Sequence, residues 1–235
     1  MLDSVNLQDV KEKLIERLAD CGWGNKLRTF IKSSEMDKIL ELLLKDALDN
    51  KRFTPKVKDM FNAFVECPYD TTRVVIIGQD PYPQAGVADG IAFSCSKTMK
   101  AEASLNYIHK SIKSTVDDKY VGNPDLTPWA NQGVLLLNTA FTTTIGKPGA
   151  HQILWSPFMV QVIDSLIWEK QGLIYAFLGK KAQDYADLVP DNNHKIMVSH
   201  PASAAYDKLS DWDCNDMWNK INKYLEQDGQ SRISW

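Results

Sequence analysis

The chain has 235 residues, 44% of them hydrophobic and 24% charged, with a formal net charge of −3; that is the make-up of a domain that buries a real core, and it excludes intrinsic disorder. Its apolar runs stop within about five residues, against the roughly 18 that cross a bilayer, and its slight acidity excludes a protein that coats nucleic acid by bulk charge. Met1-Leu2-Asp3-Ser4-Val5 is acidic and has no apolar stretch, and acidic residues recur from Asp3 onward, so no targeting signal and no membrane association are expected and the protein reads as intracellular.

Residues 1–60 read as helical. Val10, Leu14 and Leu18 recur at helical spacing until Cys21-Gly22 ends the pattern. Ser34-Glu35-Met36-Asp37 reads as a capping box, followed by Ile39, Leu40, Leu43 and Leu44 on one face. From residue 71 to 235 the pattern changes to β-rich runs that alternate with helical periods: 74–77, then 105–116; 134–137, then 159–168. Runs at 173–178 and 196–198 follow, with a last amphipathic helix through Trp218, Ile221 and Leu225. This alternation predicts an α/β fold: a central, largely parallel four-stranded sheet flanked by helices, with 1–235 forming one domain. The unbroken runs Val-Val-Ile-Ile and Val-Leu-Leu-Leu suit parallel strands buried on both faces. Cys21, Cys67, Cys95 and Cys214 lie far apart with no CxxC, so they are expected as free thiols, with no metal site and no disulfide framework.

The ends of the runs carry the chemistry. The first closes into Gly78-Gln79-Asp80-Pro81-Tyr82-Pro83, the second ends at Asn138, the third at Gly179 and the fourth at Ser199-His200-Pro201. Open α/β sheets bind ligands in the crevice beyond the carboxyl ends of their strands. If all four strands are parallel, Asp80, Asn138 and His200 converge there. A carboxylate, an amide and an imidazole together are suited to recognising and attacking a polar heterocycle.

Val75-Ile76-Ile77-Gly78-Gln79-Asp80-Pro81-Tyr82 resembles the water-activating loop of family 1 uracil-DNA glycosylases. Asp89-Gly90-Ile91-Ala92-Phe93-Ser94 is similar to that family's base-stacking segment. The stretch from Leu126-Thr127-Pro128-Trp129 to Leu137-Asn138 resembles its strand ending in the base-reading Asn. His200-Pro201 stands where the family has its intercalation loop, and Ile233-Ser234-Trp235 resembles its C-terminal end; the ordered resemblance spans about residues 53–235. Hydrolysis of an N-glycosidic bond passes through an oxocarbenium-like sugar while negative charge grows on the departing base, so help is needed at both ends. The resemblance implies that Asp80 orients the attacking water and stabilises the sugar cation. It implies that His200 donates a hydrogen bond to uracil O2, for which a neutral imidazole is suited if a neighbour fixes its tautomer. Asn138 would read the uracil edge, Phe93 would stack on the base, Tyr82 would exclude the 5-methyl of thymine, and Gln79 would contact the uracil. No cofactor and no metal is implied.

On the DNA side the resemblance is looser. Ser104 is the expected phosphate donor at a helix N-terminus, but Lys100-Ala101-Glu102-Ala103 replaces the family's prolines ahead of it. Lys180, after Gly179, stands where the family has Ser and is expected to contact phosphate. Pro83 takes the position of a common His. Pro201, Ala202, Ala204 and Tyr206 belong to the expected intercalation loop, where Ala202-Ser203-Ala204-Ala205-Tyr206 replaces Ser-Pro-Leu-Ser. The apolar wedge would fall at Ala204, too small to fill the gap left by a base, and one extra loop residue makes Tyr206 or Leu209 the replacement. Poxvirus members share parts of this pattern, which points to a viral or phage source. The implied function is a monofunctional uracil-DNA glycosylase of base excision repair. It would act as a monomer on uracil in single- or double-stranded DNA, alongside replication or repair proteins. The alternative is a module that keeps the fold for DNA or replication-partner binding while catalysis is dispensable; retention of Asp80, Asn138 and His200 favours the enzyme.

Overall fold

The computed structural model describes residues 6–235, so the reading of 1–5 lies outside the described residues. Three helices lead: α1 (Leu7–Arg17), α2 (Trp23–Lys32) and α3 (Ser34–Leu48). The cap of α3 is Ser33, one residue ahead of the expected Ser34: its hydroxyl accepts from the Met36 amide. The same hydroxyl donates to the Phe30 carbonyl at 2.7 Å, so one serine closes α2 and opens α3. Leu27, Ile31, Met36, Ile39 and Leu43 bury the facing sides of these helices.

A two-residue strand, β1 (Phe53–Thr54), and a short helix, α4 (Asn62–Glu66), lead into the sheet. Then come β2 (Val74–Gly78), α5 (Ala103–Thr115), α6 (Thr127–Ala130), β3 (Val134–Asn138), β4 (Thr143–Thr144), α7 (Gln152–Ile167), β5 (Ile174–Leu178), α8 (Lys180–Gln183), β6 (His194–Val198), α9 (Pro201–Tyr206) and α10 (Met217–Gln227). The main sheet has the order β3-β2-β5-β6, and every pair in it is parallel. β1 and β4 form a separate antiparallel pair.

Every residue of β2 and β5 is buried, as expected of central parallel strands covered on both faces. On β6, the edge strand, Ile196 and Val198 are buried while Met197 faces out. From β2 the chain crosses to β3 on one side and later to β5 on the other, so the sheet has its topological switch point at the carboxyl end of β2. α7 starts at Gln152, well ahead of the expected 159–168, and runs through Pro157. The carbonyl that this proline leaves unpaired is that of Ile153, a residue 92% exposed, where water can satisfy it. Beyond Pro157, Phe158, Met159, Val162 and Ile163 pack into an aromatic cluster with Phe61, Phe64 and Phe141. All four cysteines are free and buried. No helix among the described residues is long and apolar enough to cross a membrane.

Candidate active site

Register aligns the strand ends. Gly78 lies opposite Asn138 on β3, and Leu178 lies opposite Val198 on β6. Past the strands the backbones stay knitted: the Thr139 amide donates to the Gly78 carbonyl at 3.1 Å and the Ala140 amide to the Gln79 carbonyl at 3.2 Å. Gly78 is the pivot. A Cβ there would lie 2.7 Å from the Phe93 ring and 2.8 Å from Asn138 Oδ1, so only glycine lets both side chains close on the end of β2. Phe93 sits over this point in a left-handed backbone conformation, φ 67°. That strain is held by the Tyr82 hydroxyl, which donates to the Phe93 carbonyl at 3.0 Å. Burial pushes the Tyr82 phenol well above its ordinary range, so it stays a neutral donor.

The Phe93 and His200 rings are 5.9 Å apart, which brings the end of β6 to the same cluster. Gly179 makes room for it: at φ +91°, its missing Cβ would lie 2.8 Å from that of His200. His200 caps α9, its Nδ1 accepting from the Ala202 amide at 3.2 Å. An Nδ1 that accepts carries no proton, so the neutral ring holds its hydrogen on Nε2. Burial depresses the His200 pKa to about 4, so the ring is neutral at physiological pH.

Asp80, two residues beyond Gly78, is half-buried. Gln79 Nε2 donates to its Oδ2 at 3.0 Å, and Gln152 Nε2 reaches its two oxygens at 3.4 and 3.5 Å. Burial raises its pKa; the two amides, the Gly149 backbone and the nearby His151 pull the other way. The carboxylate is thus partly shielded from solvent and oriented by two amides.

Gln152 and the structure behind it were not anticipated from sequence. His151, immediately before it, is buried, with Nδ1 2.8 Å from Thr142 Oγ1 and Nε2 3.2 Å from Asp46 Oδ2. Trp155 Nε1 donates to the same threonine hydroxyl at 2.7 Å, leaving the hydroxyl hydrogen for His151 Nδ1 and the Nε2 hydrogen for Asp46. Burial lowers the His151 pKa while Asp46 raises it. This network bolts the start of α7 to α3 and presents Gln152 to Asp80. The only sequence signal was a polar His-Gln pair at the head of a long apolar helix.

The DNA-side expectations fare unevenly. Lys180 is exposed beside Gly179, at the mouth of the cluster. Ser104 is buried in the first turn of α5. Pro201 is buried and Ala202 half-buried, and the Ala202 amide serves His200. Ala204, the expected wedge position and too small to fill a gap, is 1% exposed within α9, which packs against α5. Tyr206, the last residue of α9, is 86% exposed, and Leu209 is exposed as well. Trp212 Nε1 donates to the Ser199 carbonyl at 3.1 Å and ties off the loop.

The family model of the Uracil DNA glycosylase superfamily matches residues 64–225. A uracil-DNA glycosylase of Acinetobacter baylyi is 32% identical over 226 residues, covering 95% of this chain and 95% of that protein. One of Amoebophilus asiaticus is 39% identical over 183 residues, covering 77% and 82%. Among solved structures, mimivirus uracil-DNA glycosylase superposes with a TM-score of 0.83 at 23% identity, covering 98% of this chain and 89% of that one. A Tyr→Leu variant of the mimivirus protein in complex with UGI gives 0.85 at 24%, covering 98% and 91%. At those identities the two structures bear on the fold alone, and they carry the same four-stranded α/β architecture.

Proposed function

The chain belongs to the uracil-DNA glycosylase superfamily, and from that membership we propose how it hydrolyses the N-glycosidic bond of uracil in DNA: as a monofunctional family 1 enzyme with water as nucleophile. Asp80 is the group at the sugar end. Held by Gln79 and Gln152, its carboxylate takes a hydrogen bond from the water and faces the cation that develops as the bond breaks. His200 is the group at the base end. The observation that carries this reading is the Ala202 amide on His200 Nδ1, which leaves Nε2–H to donate to uracil O2 as the base departs with its charge.

Asn138 supports selection of the base. Its amide offers an acceptor to N3–H and a donor to O4; cytosine reverses both polarities, at about 1–3 kcal/mol for each group left unpaired. Phe93 stacks on the extruded ring, worth about 1–3 kcal/mol. Tyr82, pinned through its hydroxyl to Phe93, fills the volume a 5-methyl group would need, and Gln79 contacts the uracil. Lys180 and the first turn of α5 at Ser104 serve phosphates, and Pro201 and Ala202 set His200. Tyr206, the more exposed of the two candidates with Leu209, takes the wedge role in place of Ala204. The enzyme is proposed to act as a monomer, with residues 1–235 as one domain, on single- or double-stranded DNA, with replication and repair proteins as its protein partners.

Uracil-containing oligonucleotides treated with the protein and then with alkali should break at the uracil position and nowhere else on a gel. Asp80→Asn should keep its affinity for uracil-DNA while single-turnover cleavage slows by about 10²–10⁴-fold. Intact oligonucleotides with the wild-type protein, or unchanged turnover in the variant, would overturn the assignment.

A further inference from the structure

A second concavity, which the reaction does not use, lies beside the site turn. It has a volume of about 660 Å³, and its walls are the 50–59 segment and the loop at 85–88. Lys51, Arg52, Lys56, Lys58 and Lys97 bring five cations to it, against one lining carboxylate, Asp59. Two of the five are already paired: Lys97 with Asp59 at 3.2 Å, and Lys51 with Asp49 at 3.3 Å and Asp46 at 3.6 Å. Arg52, Lys56 and Lys58 are exposed and have no carboxylate at ion-pair distance among the described residues. A chain with a net charge of −3 therefore presents a local field of the opposite sign on this wall. Between the cations the surface is apolar: Val57 is 61% exposed and the Phe53 ring is half-buried. Cations that track a backbone above an apolar surface that bases can rest on are the make-up of a single-strand nucleic-acid groove.

The concavity is tied to the site through the backbone. The Ile145 amide donates to the Arg52 carbonyl at 2.9 Å, and the next amide, Gly146, donates to the Pro83 carbonyl at 2.9 Å. Ile145 and Gly146, adjacent residues of one turn, therefore tie the backbone at Arg52 to that at Pro83, three residues beyond Asp80. From Pro83 the chain runs directly into the opposite wall at Ala85 and Gly86. A DNA strand with its uracil at Asp80 thus has an uncompensated cationic groove beside the nucleotides that flank the uracil.

We propose that this groove binds the single strand flanking the uracil, with Arg52, Lys56 and Lys58 contacting successive phosphates. The inference rests on the glycosylase reading for the position of the uracil, and its tests separate the two. For the wild-type protein, kcat/KM on a uracil 15-mer extended to one side should exceed that on a uracil trinucleotide by about tenfold. Arg52→Gln/Lys56→Gln/Lys58→Gln should lose that gain while cleaving the trinucleotide within about twofold of wild type. Its dependence of log kcat/KM on log salt should be shallower by about 2, three phosphates at 0.7 each for single strands. A triple variant that keeps the length gain and the salt slope overturns the proposal, as does one that loses short and long substrates equally. Binding of uracil-free oligothymidylate, followed by fluorescence anisotropy, reads the groove without catalysis. Kd should rise about tenfold in the variant, and an unchanged Kd overturns the groove whether or not uracil is cut.

Discussion

At the scale of single residues, the neutral state of His200, on which its proposed role depends, has two independent causes that agree. Burial disfavours its charged form, and the Ala202 amide occupies the nitrogen that would have to gain the proton. The pKa is depressed from its ordinary 6.5 to about 4, and the sign of the consequence follows. Between those values the unfolded chain binds a proton that the folded protein refuses, so stability is present above about pH 6.5 and drains away as pH falls toward 4. The melting temperature of the wild-type protein should therefore drop more steeply over this window than that of His200→Gln. The rate behaves in parallel: kcat/KM should run flat through pH 6.5 and fall only on the acid side, where Asp80, its own pKa raised by burial, also gains a proton. A break near pH 6.5 that disappears in His200→Gln would show a histidine that titrates normally and would remove it as a neutral donor.

Elements, more than individual side chains, decide how Asp80 is held. Gln152 reaches it only because α7 begins at residue 152, and α7 begins there because His151, Thr142, Trp155 and Asp46 lock its first turn to α3. Removing a donor from a carboxylate disfavours its ionised form, so Gln152→Leu should move the acid limb of kcat/KM to higher pH. It should also slow the reaction at neutral pH by about tenfold, the value of one hydrogen bond to a charged group at ~1.5 kcal/mol. Asp80 faces Gln79, Gln152 and, more distantly, His151, so a slower variant with an unmoved limb would mean that the helix start was disturbed and Gln152 was not acting on the carboxylate. This contact was illegible in the sequence because its partners lie 72 residues apart and neither belongs to a periodic pattern. The strands were legible for the opposite reason. Val74 to Ile77 and Val134 to Leu137 are buried on both faces, and double burial writes itself as an unbroken apolar run. The ends of those runs therefore fell within a residue or so of their true positions, and Asp80, Asn138 and His200 came with them. That Ala204 is buried was not legible, because the inward face of a six-residue helix is chosen by tertiary packing, which local spacing does not encode.

For the whole molecule, the question is how an acidic protein extracts a base from paired DNA. The sheet supplies a rigid pocket at its switch point, and that pocket is indifferent to whether the base arrives from a duplex or a single strand. Extrusion from a duplex costs a few kcal/mol of lost pairing and stacking, least when the base is already unpaired, and an inserted apolar side chain offsets part of it. Here the position expected to supply that side chain is turned inward at Ala204, and Pro83, next to the catalytic turn, offers no hydrogen-bond donor to a strained phosphate. Two exposed apolar side chains remain, Leu209 at 54% and the larger Tyr206 at 86% at the end of α9, on a loop braced by the Tyr107 hydroxyl on the Leu209 carbonyl at 3.1 Å and by Trp212 on Ser199. A braced loop with an exposed aromatic ring can enter a stack, and Tyr206 stands two residues further along the chain than Ala204. The protein should therefore excise uracil faster from single strands than from U·G, and faster from U·G than from U·A, in the order of the pairing to be broken. Tyr206→Ala should lower single-turnover rates on both duplexes by about tenfold and leave the single-strand rate within about twofold, the loss being that of one stacked or inserted ring. Equal wild-type rates on all three substrates would show that extrusion does not limit the reaction, and a uniform loss across them in Tyr206→Ala would assign the ring to binding instead of to the stack.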